Sequence, residues 1–593
     1  METTSFSFRN EVVYHCTELR AILPLPPGFL KRNAVTLIML VWSLFLAFWL
    51  SRAFFLHPAE RFFFSHENFS YVGRLIEFRA NLGAGYLFPQ WCSDFQGGLG
   101  SPYFSYYHPG FFYVASLIPW GVPPMRALGI AIFAFALVGF WFMYSSIARR
   151  YGSFSGIVSG SAFLLSVYAA TDVFVRGDLS EYSAMMTLPF AYWATLWWID
   201  RPTFQRFLAL SISCAVVVVL HAIIGVACFM MVGLLLLLSL LWHRNIRVTL
   251  GGFLAMGLSL LFAAFYVFPL LFEWQAVQTA PAFQGHYSFA RHFVSLAQLF
   301  GPYTRTTAVP FTLGWIFLIL PVYNIVSSIM YRRAMSSERW WILLSSLVGL
   351  AFFIFIISAS STVLWTHSET LRKFQFPWRF LTVITVFLAA MHGATLSWKH
   401  EGRRMLFVGI WLVGASVCSW WYTSYAIDWG ATVPRSTQDL IARAYNPDPH
   451  PLFLSPGTTS PQEIGPVGPT AGQGIGMTSF HRSQGRFDMN IANVAVASFV
   501  TLPHYYFSLG WHAYLNDKEI PIEAEERGLM QIPLSAGSHG RLVVVFSYTP
   551  MRALGLCISG IMFLIVDIWL FWPLLSFSVR KAVRSRRSKT AAA

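Results

Sequence analysis

The chain has 593 residues, of which 56% are hydrophobic and only 11% charged, with a mean hydropathy of +0.54. A soluble domain carries about 25% charged residues, so composition excludes an ordinary water-soluble enzyme. The formal net charge of +15 is not a nucleic-acid signal, because the basic residues sit largely in short loops between apolar stretches.

A run of about 20 apolar residues crosses a bilayer, and twelve such stretches can be read along the chain. In order they lie near Ala34–Phe55, Arg126–Ile147, Phe154–Ala170, Tyr182–Trp198, Phe207–His221, Ile223–Trp242, Leu250–Leu271, Phe311–Tyr331, Trp340–Ile357, Trp378–Leu396, Met405–Tyr422 and Arg552–Ser576. The fifth is short and pairs naturally with the sixth as a helical hairpin. The loops alternate in charge. Arg149 and Arg150, Arg201 and Arg206, Arg244 and Arg247, Arg332 and Arg333, and Arg403 and Arg404 fall on one side, with a basic tail from Arg580 to Lys589. The positive-inside rule places that side, and both termini, in the cytoplasm. The tail suits anionic lipid head groups.

The expected organisation is a cytoplasmic segment over residues 1–33, a multi-span region over 34–425 with a large outer loop at 56–125, an outer module over 426–550, a last span over 551–576 and a basic tail over 577–593. The fold class is mainly α, a polytopic membrane protein with a small β-rich module outside the membrane. The apolar run Phe111–Trp120 in the first outer loop is too short to span and reads as a re-entrant or interfacial helix. In the outer module, the alternation of RFDMNIANVAVASFVTLP, YYFSLGWHAYLNDKEIPI, LMQIPL and RLVVVFSYTP predicts antiparallel strands. Asn516-Asp517 and Ala536-Gly537 supply turn chemistry. Of the six cysteines only Cys92 falls outside, so no disulfide framework or zinc site is indicated.

A charged group costs roughly 2.5–3.5 kcal/mol at a helix centre, so polar residues at span ends need a reason to be there, and they gather on the outer side. Early in the first outer loop lie His66 and Glu67, whose carboxylate at the membrane surface could be a general base or could hold a cation beside a phosphate. Arg74 and Arg79 follow on a helix. Further on, Asp94 and the glycines Gly97, Gly98 and Gly100 are flanked by Trp91, Tyr103, Tyr106 and Tyr107, aromatics that can stack on a sugar ring or rest at the lipid interface. The turn TDVFVRGDLSE packs Asp172, Arg176, Asp178 and Glu181 into ten residues, as a site or as an ion-paired, helix-capping turn. His221 ends an apolar helix on the same face. The segment WTHSETLRKFQFPWRFL brings Glu369, Arg372, Lys373, Gln375 and Arg379 outside, against the positive-inside trend. Three cations at a helix start suit a phosphate at head-group depth. Asp567 is the one carboxylate midway in a span.

These motifs, with GGLGSPYFSYYHP, AAFYVFPLLFE, VRGDLSE and QFPWRFL among them, resemble a bacterial membrane-protein family labelled 6-pyruvoyl-tetrahydropterin synthase-related. That family in turn resembles the GT-C glycosyltransferases, which use polyprenyl-phosphate sugars. The resemblance implies no pterin chemistry. It implies sugar transfer to a glycan, lipid or protein acceptor on the outer side of the bacterial inner membrane. Glu67 would be the base, with Asp172 or Asp94 as rivals. Arg372, Lys373 and Arg379 would hold the donor phosphate with help from Arg176. His66, Trp91, Tyr106, Tyr107, Glu181, His221, Glu369 and Gln375 would line the pocket. A divalent cation, magnesium or manganese, could be accommodated, although the acid count near Glu67 does not demand one, and no other cofactor is implied. Three positions depart from the family pattern. Glu67 replaces a more usual Asp, Tyr71 a His, and Asp178 a small residue. A flippase of lipid-linked saccharide and a non-catalytic scaffold for polysaccharide assembly are the alternatives. Few charges at mid-bilayer and no inverted repeat count against transport.

Overall fold

A computed structural model describes residues 29–56, 61–62, 65–278, 285–301, 311–394, 401–426, 433–434, 453–456, 458–464 and 468–569. The basic tail over 577–593 and most of the 1–33 segment lie outside the described residues. Apolar composition produces a helical body. Its helices are α1 (Phe29–Ser51), α2 (Asn68–Gly83), α3 (Pro124–Tyr151), α4 (Ser153–Leu164), α5 (Leu179–Asp200), α6 (Phe204–Leu220) and α7 (Ala222–His243). There follow α8 (Ile246–Phe262), α9 (Ala264–Phe272), α10 (Ile316–Met330), α11 (Ser337–Ile357), α12 (Leu381–Gly393), α13 (Glu401–Ala426) and α14 (Pro550–Trp569).

Among the described residues, five helical stretches are long and apolar enough to cross a membrane: α3, the continuous segment Ser153–Arg176 that begins with α4, α7, α11 and α14. The chain is therefore a multi-pass membrane protein. The count of twelve is not confirmed among the described residues. The predicted Leu250–Leu271 stretch breaks into α8 and α9, bent by 84°, and becomes a sixth span if the pair is counted as one. Others are shorter than the hydropathy implied: α6 has 17 residues, α10 has 15 and α12 has 13. Apolar content extends a run through loops that pack inside the body, whereas a helix ends where its backbone finds a cap or a break.

The segment Ser153–Arg176 is 94% buried and sits at the centre, whereas α14 is 17% buried and lies at the edge. Asp567 on α14 is exposed on its outer surface. The predicted re-entrant run forms a seven-residue helix, Gly110–Ser116, with Phe111 and Phe112 buried. Arg79 of α2 holds that helix end by donating from Nη2 to the carbonyls of Ala115 (2.9 Å) and Ile118 (3.0 Å).

The β-rich module is a two-sheet sandwich. Its strands are β1 (Thr470–Ala471), β2 (Ile475–Ser483), β3 (Arg486–Val494), β4 (Ser498–Tyr505), β5 (Trp511–Leu515), β6 (Lys518–Ile520), β7 (Glu523–Ala524), β8 (Leu529–Leu534) and β9 (Gly540–Phe546). One sheet runs β1-β4-β8-β7 and the other β2-β3-β9-β5-β6, all neighbours antiparallel. Alternation decides the inner face, since Phe487, Met489 and Ile491 of β3 and Leu542, Val544 and Phe546 of β9 are buried. The β5–β6 hairpin turns on Asn516 (φ 49°) and Asp517 (φ 64°), the left-handed pair that a two-residue hairpin favours. The sandwich is closed by the first outer loop: Trp91, Leu99 and Tyr106 belong to its core. A Cβ at Gly100 would stand 2.4 Å from the Trp91 ring, so only glycine lets the loop approach.

Candidate functional site

The N-terminal ends of α5 and α7, the turn before α5, the start of α2 and the segment before α12 converge on one polar cluster. The segment Asp172–Arg176 is a π-helical turn, and Gly177 follows in the left-handed region at φ 65°. That reversal sets Asp178 as the N-cap of α5, where its Oδ1 accepts from the Glu181 amide at 3.1 Å. The capping reading of this turn thus holds for Asp178, and the same acids also join a buried ion-pair cluster.

Arg176 Nη1 lies 2.5 Å from Asp172 Oδ1 and 2.7 Å from Glu181 Oε1, and its Nη2 lies 3.3 Å from Asp178 Oδ2. Its guanidinium stacks 4.4 Å from the Trp378 ring centre. Arg379 completes the cluster: Nε donates to Glu181 Oε2 at 2.9 Å and Nη1 to Gln375 Oε1 at 2.9 Å and the Phe374 carbonyl at 2.8 Å. Gln375 adopts φ 63°, a region rare for residues other than glycine, which turns its side chain and the preceding carbonyl onto Arg379. Tyr168 adds a hydroxyl to Glu181 Oε1 at 2.8 Å. Asp172 and Glu181 are fully buried, and Arg176, Asp178 and Arg379 nearly so.

Toward the exposed Glu67 the cluster continues through Tyr71, whose hydroxyl donates to Asp178 Oδ1 at 2.8 Å and accepts from the Ser180 amide at 2.9 Å. Tyr71 and Asp178 are thus bonded to each other. The Tyr71 hydroxyl also lies 2.9 Å from that of Tyr107. Tyr107 accepts from Arg74 Nη1 at 2.9 Å, and Arg74 Nη1 lies 3.1 Å from Glu67 Oε2. The Arg74 guanidinium stands 4.5–5.3 Å from the ring centres of Tyr107, Tyr71 and Tyr103. Glu67 itself is anchored by its backbone, whose amide donates to the Arg176 carbonyl at 2.9 Å. Its side chain is 39% exposed, the most accessible carboxylate of the group. Burial, then the negative charge of Asp178, raises the Glu67 carboxyl above its ordinary pKa, with Arg74 opposing.

Two histidines form the remaining wall. His221 is the N-cap of α7, and its Nδ1 accepts from the Ile224 amide at 3.2 Å. His108, which composition alone did not single out, packs with its ring centre 4.0 Å from that of His221. Its Nδ1 accepts from the Ala222 amide at 3.3 Å and lies 2.8 Å from the Tyr266 hydroxyl. Burial, then the adjacent His221, pushes the His108 imidazole well below its ordinary range. Asp178, Glu181 and His221 bring one potential ligand atom each within 4.8 Å of one another.

The structure does not bring every expected residue here. Asp94 pairs with Arg482 of β2 at 2.8 Å, and Trp91 packs edge-on to Trp511 at 5.1 Å, both at the module junction. Tyr106 donates to the Glu273 carbonyl at 2.9 Å and stacks on Phe453. His66 is exposed beside the cluster, its amide donating to the Val175 carbonyl at 3.1 Å. Arg372, Lys373 and Glu369 are exposed, with Lys373 Nζ 3.7 Å from Glu369. Arg176 and Arg379, expected to hold a phosphate, are committed to carboxylates.

No family model and no curated protein sequence matches this chain, so the pterin-synthase-related label finds no support. Among solved structures it is similar to the mycobacterial arabinofuranosyltransferase AftD, at TM-score 0.42 and 19% identity, over 67% of this chain. A substituted form of that protein gives TM-score 0.40 and 16% identity over 65% of this chain. The chain spans only 26% and 27% of those two structures' own length.

Proposed function

We propose that the protein is a GT-C-type glycosyltransferase of the bacterial inner membrane, moving a sugar from a polyprenyl-phosphate donor to an acceptor hydroxyl on the outer side. One observation carries this reading. One carboxylate, Glu67, stands at the accessible edge of an otherwise buried polar cluster, its carboxyl raised by burial and by Asp178. Asp172 is sealed against Arg176 and Asp94 lies at the module junction, which favours Glu67 as the base.

In the proposed reaction Glu67 takes the acceptor hydroxyl proton as the acceptor oxygen bonds to the anomeric carbon. The bond from that carbon to the phosphate oxygen breaks, and polyprenyl phosphate leaves with the electron pair. Phosphate is already a good leaving group, so the protein must mainly place the base and steady the departing charge. Arg372 and Lys373, exposed at the outer surface, would serve the phosphate. The buried cluster fixes the backbone that presents Glu67. The test is incorporation of label from a panel of polyprenyl-phosphate sugars by membranes carrying wild type or Glu67→Gln. Transfer lost in the variant at equal expression supports the reading, and no consumption of any donor by wild type overturns it.

A further inference from the structure

The stacked pair His108–His221 lies outside the base and phosphate roles, and its hydrogen bonds define what it can do. A backbone amide only donates, so an Nδ1 that accepts from one must carry the lone pair. The Ile224 and Ala222 amides therefore fix both rings as neutral imidazoles with the proton on Nε2. For His221 the nearest carboxylate oxygen, Asp178 Oδ2, is 4.0 Å from Nε2, beyond hydrogen-bond distance. Among the described residues neither Nε2–H has an acceptor in reach. His221 is 98% buried by its 2% exposure, yet its unpartnered Nε2 is not among the sealed polar atoms, so the N–H reaches space that a ligand oxygen can enter. An acceptor atom from a ligand would satisfy it.

Three kinds of ligand could be considered, and two fit poorly. A metal needs the lone pair of a histidine nitrogen. Here Nε2 holds the proton, and moving it to Nδ1 would set two N–H groups against each other at the start of α7. The two acids of the same trio are already occupied, Glu181 by Arg176 and Arg379 and Asp178 by Arg176 and Tyr71. A phosphate fits no better. Glu67, Asp172, Asp178 and Glu181 face only three guanidiniums, Arg74, Arg176 and Arg379, so the cluster has no surplus positive charge to offer. An uncharged hydroxyl oxygen needs only a donor, and Tyr103 and Tyr107, stacked with centres 4.7 Å apart and partly exposed beside His108, give a ring-shaped ligand an apolar face.

We infer that His108 and His221 form a hydroxyl-recognition subsite, donating from Nε2 to oxygens of a sugar ring, and that the Asp178–Glu181–His221 group is closed to a divalent cation. The inference rests on the glycosyltransferase reading for its ligand class.

The test measures binding to the full-length protein in detergent, using undecaprenyl phosphate with and without a single attached pentose or hexose. Asparagine at either position keeps an acceptor where Nδ1 sits and removes the distal donor, whereas glutamine restores a donor near the Nε2 position. His108→Asn and His221→Asn are each expected to weaken the best sugar-bearing lipid by about 3- to 10-fold, to leave bare undecaprenyl phosphate unchanged, and to be partly rescued by His108→Gln and His221→Gln. Neither EDTA nor manganese should alter wild-type binding. Equal weakening of the bare lipid would make the pair an anion site and overturn the inference alone. So would manganese binding, followed by its electron paramagnetic resonance signal, that disappears in Asp178→Asn. Failure of wild type to bind any sugar-bearing lipid would overturn the inference and the glycosyltransferase reading together.

Discussion

Two groups of ion pairs in this molecule use the same chemistry in opposite surroundings. In the helical body, Arg176 bridges Asp172, Asp178 and Glu181, and Arg379 closes the group, all at 7% side-chain exposure or less. On the outer face of the module, Asp488 of β3 bridges Arg486 and Arg541, and the Arg541 side chain is 62% exposed. Water screens the second group, and such pairs contribute little. The first has no water to fall back on, so each partner is needed to balance the rest. Burial, not the number of contacts, separates a surface decoration from an element on which fold and site both depend.

The largest effect should come from the group that is neither sealed nor fully exposed. Glu67→Gln is expected to reduce transfer about 100- to 10,000-fold, the span of general base catalysis, with expression and melting temperature retained because the side chain is 39% exposed. Transfer should also fall as pH drops through the Glu67 pKa, since only the ionised carboxylate accepts a proton. As burial and Asp178 raise that pKa, the loss should begin at a higher pH than for an ordinary carboxylate. A pH–rate profile with no acid limb would remove Glu67 from the role.

Arg379→Ala tests the sealed group. It leaves Glu181 buried with one guanidinium fewer, and about 3–5 kcal/mol of stability should be lost, seen as a lower melting temperature and poor yield in detergent. Unchanged melting would mean that the cluster is hydrated and that the contrast with the module face is false.

An intermediate case lies at the junction of the two regions. Glu77 of α2 is fully buried, and its Oε1 accepts from Gln484 of the β2–β3 turn and from the Asp94 amide. Burial, then Asp94, raises its carboxyl from 4.5 to about 7. A carboxyl raised on folding holds its proton in the docked state over a range where the free chain has lost it. Docking of the module should therefore weaken as pH rises from 4.5 to about 7. Proteolytic sensitivity of the module measured across that window should show the slope, and Glu77→Gln should flatten it. The smallest effect belongs to Arg541→Ala on the exposed face, where no change in melting temperature is expected.

Much of the fold was legible in the chain. Periodicity and charge marked the helical body and the sandwich, and Asn516-Asp517 marked the hairpin, because each depends on neighbours a few residues apart. Hydropathy did not settle the spans, because the 84° bend between α8 and α9 and the short α12 are decided by packing, which average apolarity does not report. The site was legible as residue types and not as a constellation. The motif VRGDLSE and Arg379 were visible, but their pairing across a separation of 198 residues was not, and the arginines read as phosphate ligands turned out to be held by acids. Asp94 and Trp91 shared the loop of Glu67 yet belong to the module junction. His108 carried no sequence signal beyond its place in SYYHP.

The sequence by itself determined that this is a multi-pass membrane protein with a β-rich module and clustered polar groups, since hydrophobic burial and residue placement act along the chain. Only the tertiary structure decided which of those groups are sealed, which one is accessible, and which imidazole nitrogens carry the protons. Those properties depend on the exclusion of water and on hydrogen bonds between segments far apart in the chain.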